Sequence, residues 1–339
     1  MELELVLGKT ASGAPLIWKD PANGHLYMSG TSGSGKSYEL KLLAPQLPGQ
    51  GICTIIFDCS GDFLPHNGGN PPGWPTKDTR IINVRDPSIC IEPFLPIIPG
   101  ERPEEIADRM SDTLRTGLRL GDSQWAALST LIEDGLKDGL LCTFDDLVAM
   151  AELAAHSNDA VKRMYPKLKK LNSTLPKGNT PLRWNLNQPG ITILDLHNIT
   201  DQAAQGILIE LLLGTICSNR FAALPNEDHP VVLIFDECQR IHLHGNSYAN
   251  RILREGRKFG LHGWFSTQWI SHPEERKALD QAALRIYFQP SRTDLHRTVL
   301  SLGLKNRELI PRYEHRLSSF RPGEFLYRDN HQFRFNYPY

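Results

Sequence analysis

Gly30-Thr31-Ser32-Gly33-Ser34-Gly35-Lys36-Ser37 has the form Gly-x-x-x-x-Gly-Lys-Ser, and this octet decides the fold. The pattern is a phosphate-binding P-loop when a strand precedes it and a helix follows. Both flanks comply. His25-Leu26-Tyr27-Met28 is short and apolar, as a buried strand should be. Tyr38-Glu39-Leu40-Lys41-Leu42-Leu43 opens a helix that should stop before Pro45. The glycines admit backbone shapes that a Cβ would block. Successive N–H groups can then converge on the α- and β-phosphates at a helix N-terminus. Lys36 is expected to reach the β/γ oxygens, and Ser37 to ligate Mg²⁺.

Val231-Val232-Leu233-Ile234-Phe235-Asp236-Glu237 supplies the other half of such a site. Five apolar residues in a row fit a strand buried on both faces of a parallel sheet. Carboxylates at its C-terminal end sit where open α/β sheets bind ligands. Asp236 is expected in the Mg²⁺ shell, directly or through water. Glu237 is the candidate general base for a water attacking the γ-phosphate. A GTPase orients its water with Gln and reads its base with Asn-Lys-x-Asp, a motif this chain does not contain. ATP is therefore the expected nucleotide. Further on, a short apolar strand ends in Ser266-Thr267-Gln268. Gln268 at that tip is expected beside the γ-phosphate, as a sensor of hydrolysis.

The chain has 339 residues, enough for one elaborated α/β domain or two smaller ones. With 37 basic and 38 acidic residues the net charge is −1, so a nucleic-acid contact must be a local basic lining. The six cysteines (53, 59, 90, 142, 217 and 238) show no Cys-x-x-Cys spacing, which argues against zinc and a disulfide scaffold. They read as reduced, buried small hydrophobes of a cytoplasmic protein. No signal sequence is evident, and the longest apolar stretch, 207–216, is too short to span a bilayer and includes Glu210.

Periodicity divides the chain into three parts. Residues 1–98 should carry a hairpin (3–7 with 15–18), the P-loop unit, and strands at 52–57 and 81–84. Residues 99–180 read as helices at 103–120, 123–140, 144–155 and 159–175 with no strand, a helical insertion. Residues 181–339 return to alternation. Strands are expected at 191–196, 231–236 and 261–266, helices at 201–220 and 247–259, and a terminal hairpin at 324–339. The β-α alternation implies a mainly parallel sheet with helices on both faces.

These pieces together resemble the FtsK/HerA group of P-loop translocases, which includes conjugative coupling proteins and viral packaging ATPases. The resemblance rests on Gly24-His25-Leu26-Tyr27-Met28 leading into the P-loop, on Ile56-Phe57-Asp58-Cys59-Ser60-Gly61-Asp62, and on Phe235-Asp236-Glu237. It continues through Glu255-Gly256-Arg257-Lys258-Phe259-Gly260 to Gln268, then 283–288 and Arg321-Pro322-Gly323-Glu324-Phe325. It implies a RecA-like core assembled as a homo-oligomeric ring, commonly a hexamer, with ATP between subunits and double-stranded DNA in the channel. About two dozen residues precede the P-loop strand, and no membrane segment is evident. The expectation is thus a bare motor that takes its targeting from a membrane or nuclease partner.

The ring implies an arginine acting in trans on the γ-phosphate. Arg257 is the first choice, with Arg254 and Arg285 as competitors. Pore contacts could come from the loop 240–250, which holds Arg240, His242, His244 and Asn246. They could also come from the basic run Lys162, Arg163, Lys167, Lys169 and Lys170, although such a run is usually a solvated face. His242-x-His244 alone does not make a metal site. The expected function is ATP-driven translocation of double-stranded DNA in conjugation, packaging or DNA processing. The alternative is a protein-directed or partner-activated ATPase of a secretion or defence complex. A nucleotide-gated scaffold and a small-molecule kinase are more distant.

Overall fold

A run such as Val231–Phe235 needs a sheet covered on both sides, and the computed structural model supplies one. It describes residues 3–10, 12–20, 23–65, 74, 76–222, 228–243, 245–268, 273–304, 306–328 and 333–336. His244, residues 66–73, and 329–332 and 337–339 of the expected C-terminal hairpin lie outside the described residues.

Strands β1 (Leu3–Lys9) and β2 (Pro15–Asp20) form a separate antiparallel hairpin. The main sheet draws on β3 (Leu26–Ser29), β4 (Cys53–Asp58) and β5 (Thr79–Asn83). A short parallel pair, β6 (Ile89–Cys90) with β7 (Thr180–Pro181), stands apart from it. The sheet continues with β8 (Gly190–Asp195), β9 (Val231–Phe235), β10 (Leu261–Thr267), β11 (Leu284–Tyr287), β12 (Phe325–Arg328) and β13 (Phe333–Asn336). Its order is β13-β12-β11-β3-β10-β9-β4-β8-β5. The seven strands from β11 to β5 run parallel, and β12 and β13 add an antiparallel edge. The P-loop strand is thus near the centre, beside β10 and one strand away from β9.

Side chains alternate between two cores, as the pleat requires. One face buries Ile55, Phe57, Leu233, Phe235 and Phe265; the other buries Ile56, Val232, Ile234 and Trp264. Phe57, Phe235 and Phe265 lie in register on adjacent strands. Their rings stack at 4.9 Å for each neighbouring pair, about one strand spacing. Each such pair adds about 0.5–1.5 kcal/mol beyond its buried area. The stack fixes the strand tips immediately under Asp236.

Helix α1 (Lys36–Leu43) follows the P-loop and continues as a 3-10 turn containing Pro45. Helices α2 (Pro103–Leu118), α3 (Asp122–Lys137), α4 (Phe144–Ala154) and α5 (Asp159–Asn172) occupy the stretch read as helical. Only β7, at its C-terminal limit, departs from an all-helical reading. Helix α6 (Gln202–Ala222) carries this layer on the sheet: a Cβ on Gly117 of α2 would stand 2.2 Å from Ile207, so the two helices touch through a glycine. Helix α7 (Tyr248–Glu255) is shorter than the expected 247–259. The chain tightens to a 3-10 turn at Gly256, where a Cβ would meet Leu261 O at 2.8 Å. Helices α8 (Pro273–Leu279), α9 (Leu295–Ser301) and α10 (Ile310–Ser318) complete the chain. All six cysteines are unpaired; four are buried, Cys90 is half-buried, and Cys142 is exposed against expectation. Among the described residues no helix is long and apolar enough to cross a membrane.

Candidate functional site

The P-loop folds around its own lysine. Gly33 (φ +73°) and Gly35 (φ +111°) hold left-handed or otherwise restricted backbone that a side chain would strain. A Cβ on Gly30 would stand 2.6 Å from Phe288 Cβ, so this glycine lets the loop approach the strand after β11. Gly30 N–H donates to Thr267 O (3.3 Å) and Thr31 N–H to Gln289 O (2.8 Å), which ties the loop to neighbouring strand ends. Ser34 Oγ–H donates to Thr31 O at 2.8 Å. Lys36 is buried, and its ammonium donates to Gly30 O and Thr31 O, both at 2.8 Å. Burial pulls its pKa below the usual lysine value, opposed by the charges of Asp236, Glu237 and Asp62.

Three carboxylates, Asp62, Asp236 and Glu237, gather opposite it. Asp58, at the tip of β4, accepts from Gly61 N (2.8 Å), Asp62 N (3.1 Å) and Phe63 N (3.0 Å). It thereby folds the turn that brings Ser60 and Asp62 to the site. Ser60 Oγ–H donates to Asp236 Oδ2 at 3.0 Å. Asp236 is buried, and its carboxyl is pushed up to about 7, first by burial and then by Asp62 and Asp58, with the Ser60 bond opposing. Glu237 leaves the strand in a left-handed conformation (φ +62°), uncommon for a residue with a Cβ. Gln268 Nε2 donates to Glu237 Oε1 at 3.1 Å. Arg240 Nε and Nη2 donate to Glu237 Oε2 at 2.9 and 2.6 Å.

Ser32, Gly33, Gly35, Lys36, Ser37, Asp236, Glu237 and Gln268 line one cavity of about 320 Å³, together with Tyr38, Asp62, Ser266 and Thr267. Lys36, Ser37, Asp236, Glu237 and Gln268, expected at one site, are thus brought together. A serine hydroxyl and a carboxylate are hard oxygen donors, which suits Mg²⁺. Among the described residues no group of three His, Cys, Asp or Glu could hold a metal alone. A larger cavity of about 640 Å³ lies between α2 and α6–α7 and includes no P-loop residue; His242 and Asn246 line it.

Arg257 is exposed in the 3-10 turn Gly256–Phe259 that precedes β10, at the opposite end of that seven-residue strand from its tip and so roughly 20 Å from this chain's own cavity. Arg254 is exposed nearby. Arg285 is bound to Asp280 at 3.1 Å and to Ala282 O at 3.2 Å. Arg240, expected to line a pore, turns inward instead because the Glu237 carboxylate claims it. The basic run is also engaged. Lys167 donates to Leu118 O (3.0 Å), Lys170 pairs with Asp201 (2.6 Å), and Lys169 lies over the Tyr165 ring. The site also takes in Ser60 and Asp62, which stand in the sequence only within the segment 56–62, and Arg240, expected at a pore instead.

Buried carboxyls give the fold a pH dependence. Burial pushes Glu39 up to about 8 and Glu210 up to about 7, beside Asp236. The native state therefore binds protons at a pH where the unfolded chain does not, so stability falls as pH rises. Buried His25 and His262 are pulled down to about 3 and about 4, which removes stability below the ordinary histidine value. With three carboxyls raised against two histidines lowered, the melting temperature of the nucleotide-free protein is expected to fall gently from about pH 5 to about 6.5 and more steeply from there to about pH 8. Glu39→Gln should flatten that decline in thermal melts; an unchanged slope would contradict the assignment.

The sequence model for the family described as Helicase HerA, central domain, matches residues 19–216, more than half of the chain. Comparison with curated protein sequences gives no match. Among solved structures, VirB4 of Thermoanaerobacter pseudethanolicus is similar at 17% identity and TM-score 0.78, over 98% of this chain and 95% of that one. The bacterial conjugative coupling protein TrwB is similar at 17% identity and TM-score 0.64, over 97% and 87%. TrwB in complex with the ATP analogue ADPNP is similar at 18% identity and TM-score 0.65, over 97% and 88%. At these identities the likeness speaks for the fold alone, a mainly parallel, helix-flanked sheet of RecA-like type. With the family match, it follows that this chain belongs to the family of the helicase HerA central domain.

Proposed function

We propose that the chain is an ATP-hydrolysing motor that translocates double-stranded DNA as a homo-oligomeric ring, with a hexamer as the expected size. The carrying observation is the convergence of Lys36, Ser37, Asp236, Glu237 and Gln268 on one cavity at the strand ends. Gly30, Thr31, Ser32, Gly33, Ser34 and Gly35 wrap the phosphates with backbone N–H groups. Lys36 exchanges its two carbonyl partners for β/γ oxygens. Ser37 and Asp236 would hold Mg²⁺, which when bound offsets charge on the phosphates. Glu237 takes a proton from the attacking water, and Gln268, bonded to Glu237, senses whether the γ-phosphate is present. Arg257 cannot serve its own chain's site from its position, which fits a role in a neighbour's. The same reading treats residues 99–180 as a helical insertion between core segments 1–98 and 181–339, in a cytoplasmic protein targeted by a membrane or nuclease partner.

A partner-activated or protein-directed ATPase is the second reading. It is favoured by the internal bonds of Lys167, Lys169 and Lys170, which leave less of the basic run for phosphates. Steady-state ATPase assays with and without double-stranded DNA separate the two. Strong stimulation that disappears in Glu237→Gln is expected for the DNA motor. Turnover indifferent to nucleic acid would overturn it in favour of the second reading.

A further inference from the structure

A glutamate that must take a proton from one water needs one oxygen free and the other fixed. Arg240 lies in the single 3-10 turn Cys238–Arg240 directly after Glu237. Its Nε and Nη2 both donate to Oε2, which saturates the two lone pairs of that oxygen. Oε1 accepts one bond, from Gln268, and keeps its second lone pair. The fork thus selects which oxygen of Glu237 can act.

Arg240 is itself held. Its Nη1 donates to Gln205 Oε1 at 2.5 Å. Gln205 is 1% exposed, and its amide donates to Leu196 O at 3.0 Å, just past the tip of β8. Glu237 and Arg240 are each about one-fifth exposed, so water only partly screens the pair. The neighbouring Gly206 lets α6 come this close: a Cβ there would stand 2.5 Å from Arg240 O. A chain of fixed contacts therefore runs from α6 through Gln205 and Arg240 to Glu237. The start of α6 is also tied to α5 by Lys170–Asp201.

We propose that Arg240, braced by Gln205 on α6, is a positioning residue that orients Glu237 so that Oε1 faces the attacking water. This rests on the reading of Glu237 as the general base. Arg240 does not line the P-loop cavity, so its effect is exerted through Glu237.

The test is ATP hydrolysis by the full chain, with nucleotide affinity measured separately by calorimetry and folding by thermal melts. Arg240→Ala is expected to lower kcat about ten- to a hundredfold, as a misplaced catalytic group does, while KM and affinity for ATP stay unchanged. Arg240→Lys, which keeps the charge but loses the fork, should fall between the two. Gln205→Met removes the brace and should lower kcat by a smaller factor. A residue of merely structural importance would lower the melting temperature and affinity together and would not show the graded Lys rescue. Wild-type hydrolysis that Glu237→Gln abolishes but Arg240→Ala leaves unchanged, or accelerates, overturns the positioning role alone. Absence of any Lys36-dependent hydrolysis in the wild type, or full turnover by Glu237→Gln, overturns the general-base reading and this inference with it.

Discussion

Glu237→Gln is expected to bind Mg·ATP within about twofold of the wild type and to hydrolyse it at least about a hundredfold more slowly, the usual contribution of a general base. The amide has nearly the shape of the carboxylate, so the cavity keeps its volume. Binding should survive because the phosphate-facing groups lie elsewhere, in the P-loop backbone, Lys36 and Ser37. Turnover should not, because an amide accepts a hydrogen bond but does not take up a proton at neutral pH. The Arg240 ion pair disappears in this variant. The amide oxygen can still accept from Arg240, so the guanidinium keeps a partner and the protein should fold. Calorimetry and steady-state assays on one preparation provide the check. A variant that loses affinity as well as turnover would mean that Glu237 supports the nucleotide or the fold, and another group would have to activate the water.

The residues most legible in the sequence are those whose chemistry constrains their immediate neighbours. A phosphate cradle needs glycines beside Lys36 at fixed spacing, and a doubly covered strand needs Val231–Phe235 to be apolar throughout. Both are local demands, so both appear in the linear text. Gln268 was legible by a weaker route, as the polar end of an apolar strand in a sheet whose ligands sit at strand ends. Arg240 was not. In the loop after Glu237 it reads as a pore lining, and its turn inward depends on Gln205, 35 residues earlier. Glu39 misleads in the opposite way. In the first turn of α1 it reads as an ordinary acidic helix opener, yet it is buried, with Oε1 lacking a hydrogen-bond partner. The basic run 162–170 shows the same limit: periodicity places it on α5, but only tertiary contacts reveal that Lys167 is spent on the end of α2. Helix α7 ended early because Gly256 must approach Leu261, again a distant fact.

Lys36→Ala should fail one step earlier than Glu237→Gln. It is expected to weaken nucleotide binding by about ten- to a hundredfold, the value of one or two charge-assisted hydrogen bonds. Lys36 is 8% exposed and already out of water, so its ammonium incurs little further desolvation when phosphate arrives. Its bonds to Gly30 O and Thr31 O hold it extended along the loop before any ligand binds. The charge counts for more here than at a surface because Asp236, Glu237 and Asp62 all face the same cavity. Without Lys36, a triphosphate would meet three carboxylates with only backbone N–H groups in opposition. Lys36→Met separates charge from volume, since it keeps the stem that fills the loop. If Met binds ATP as poorly as Ala, the ammonium carries the effect; if Met binds like the wild type, packing of the loop does. Equal loss of affinity in Lys36→Ala and Glu237→Gln would merge two roles that the geometry keeps apart, one group holding the phosphates and the other working on the water.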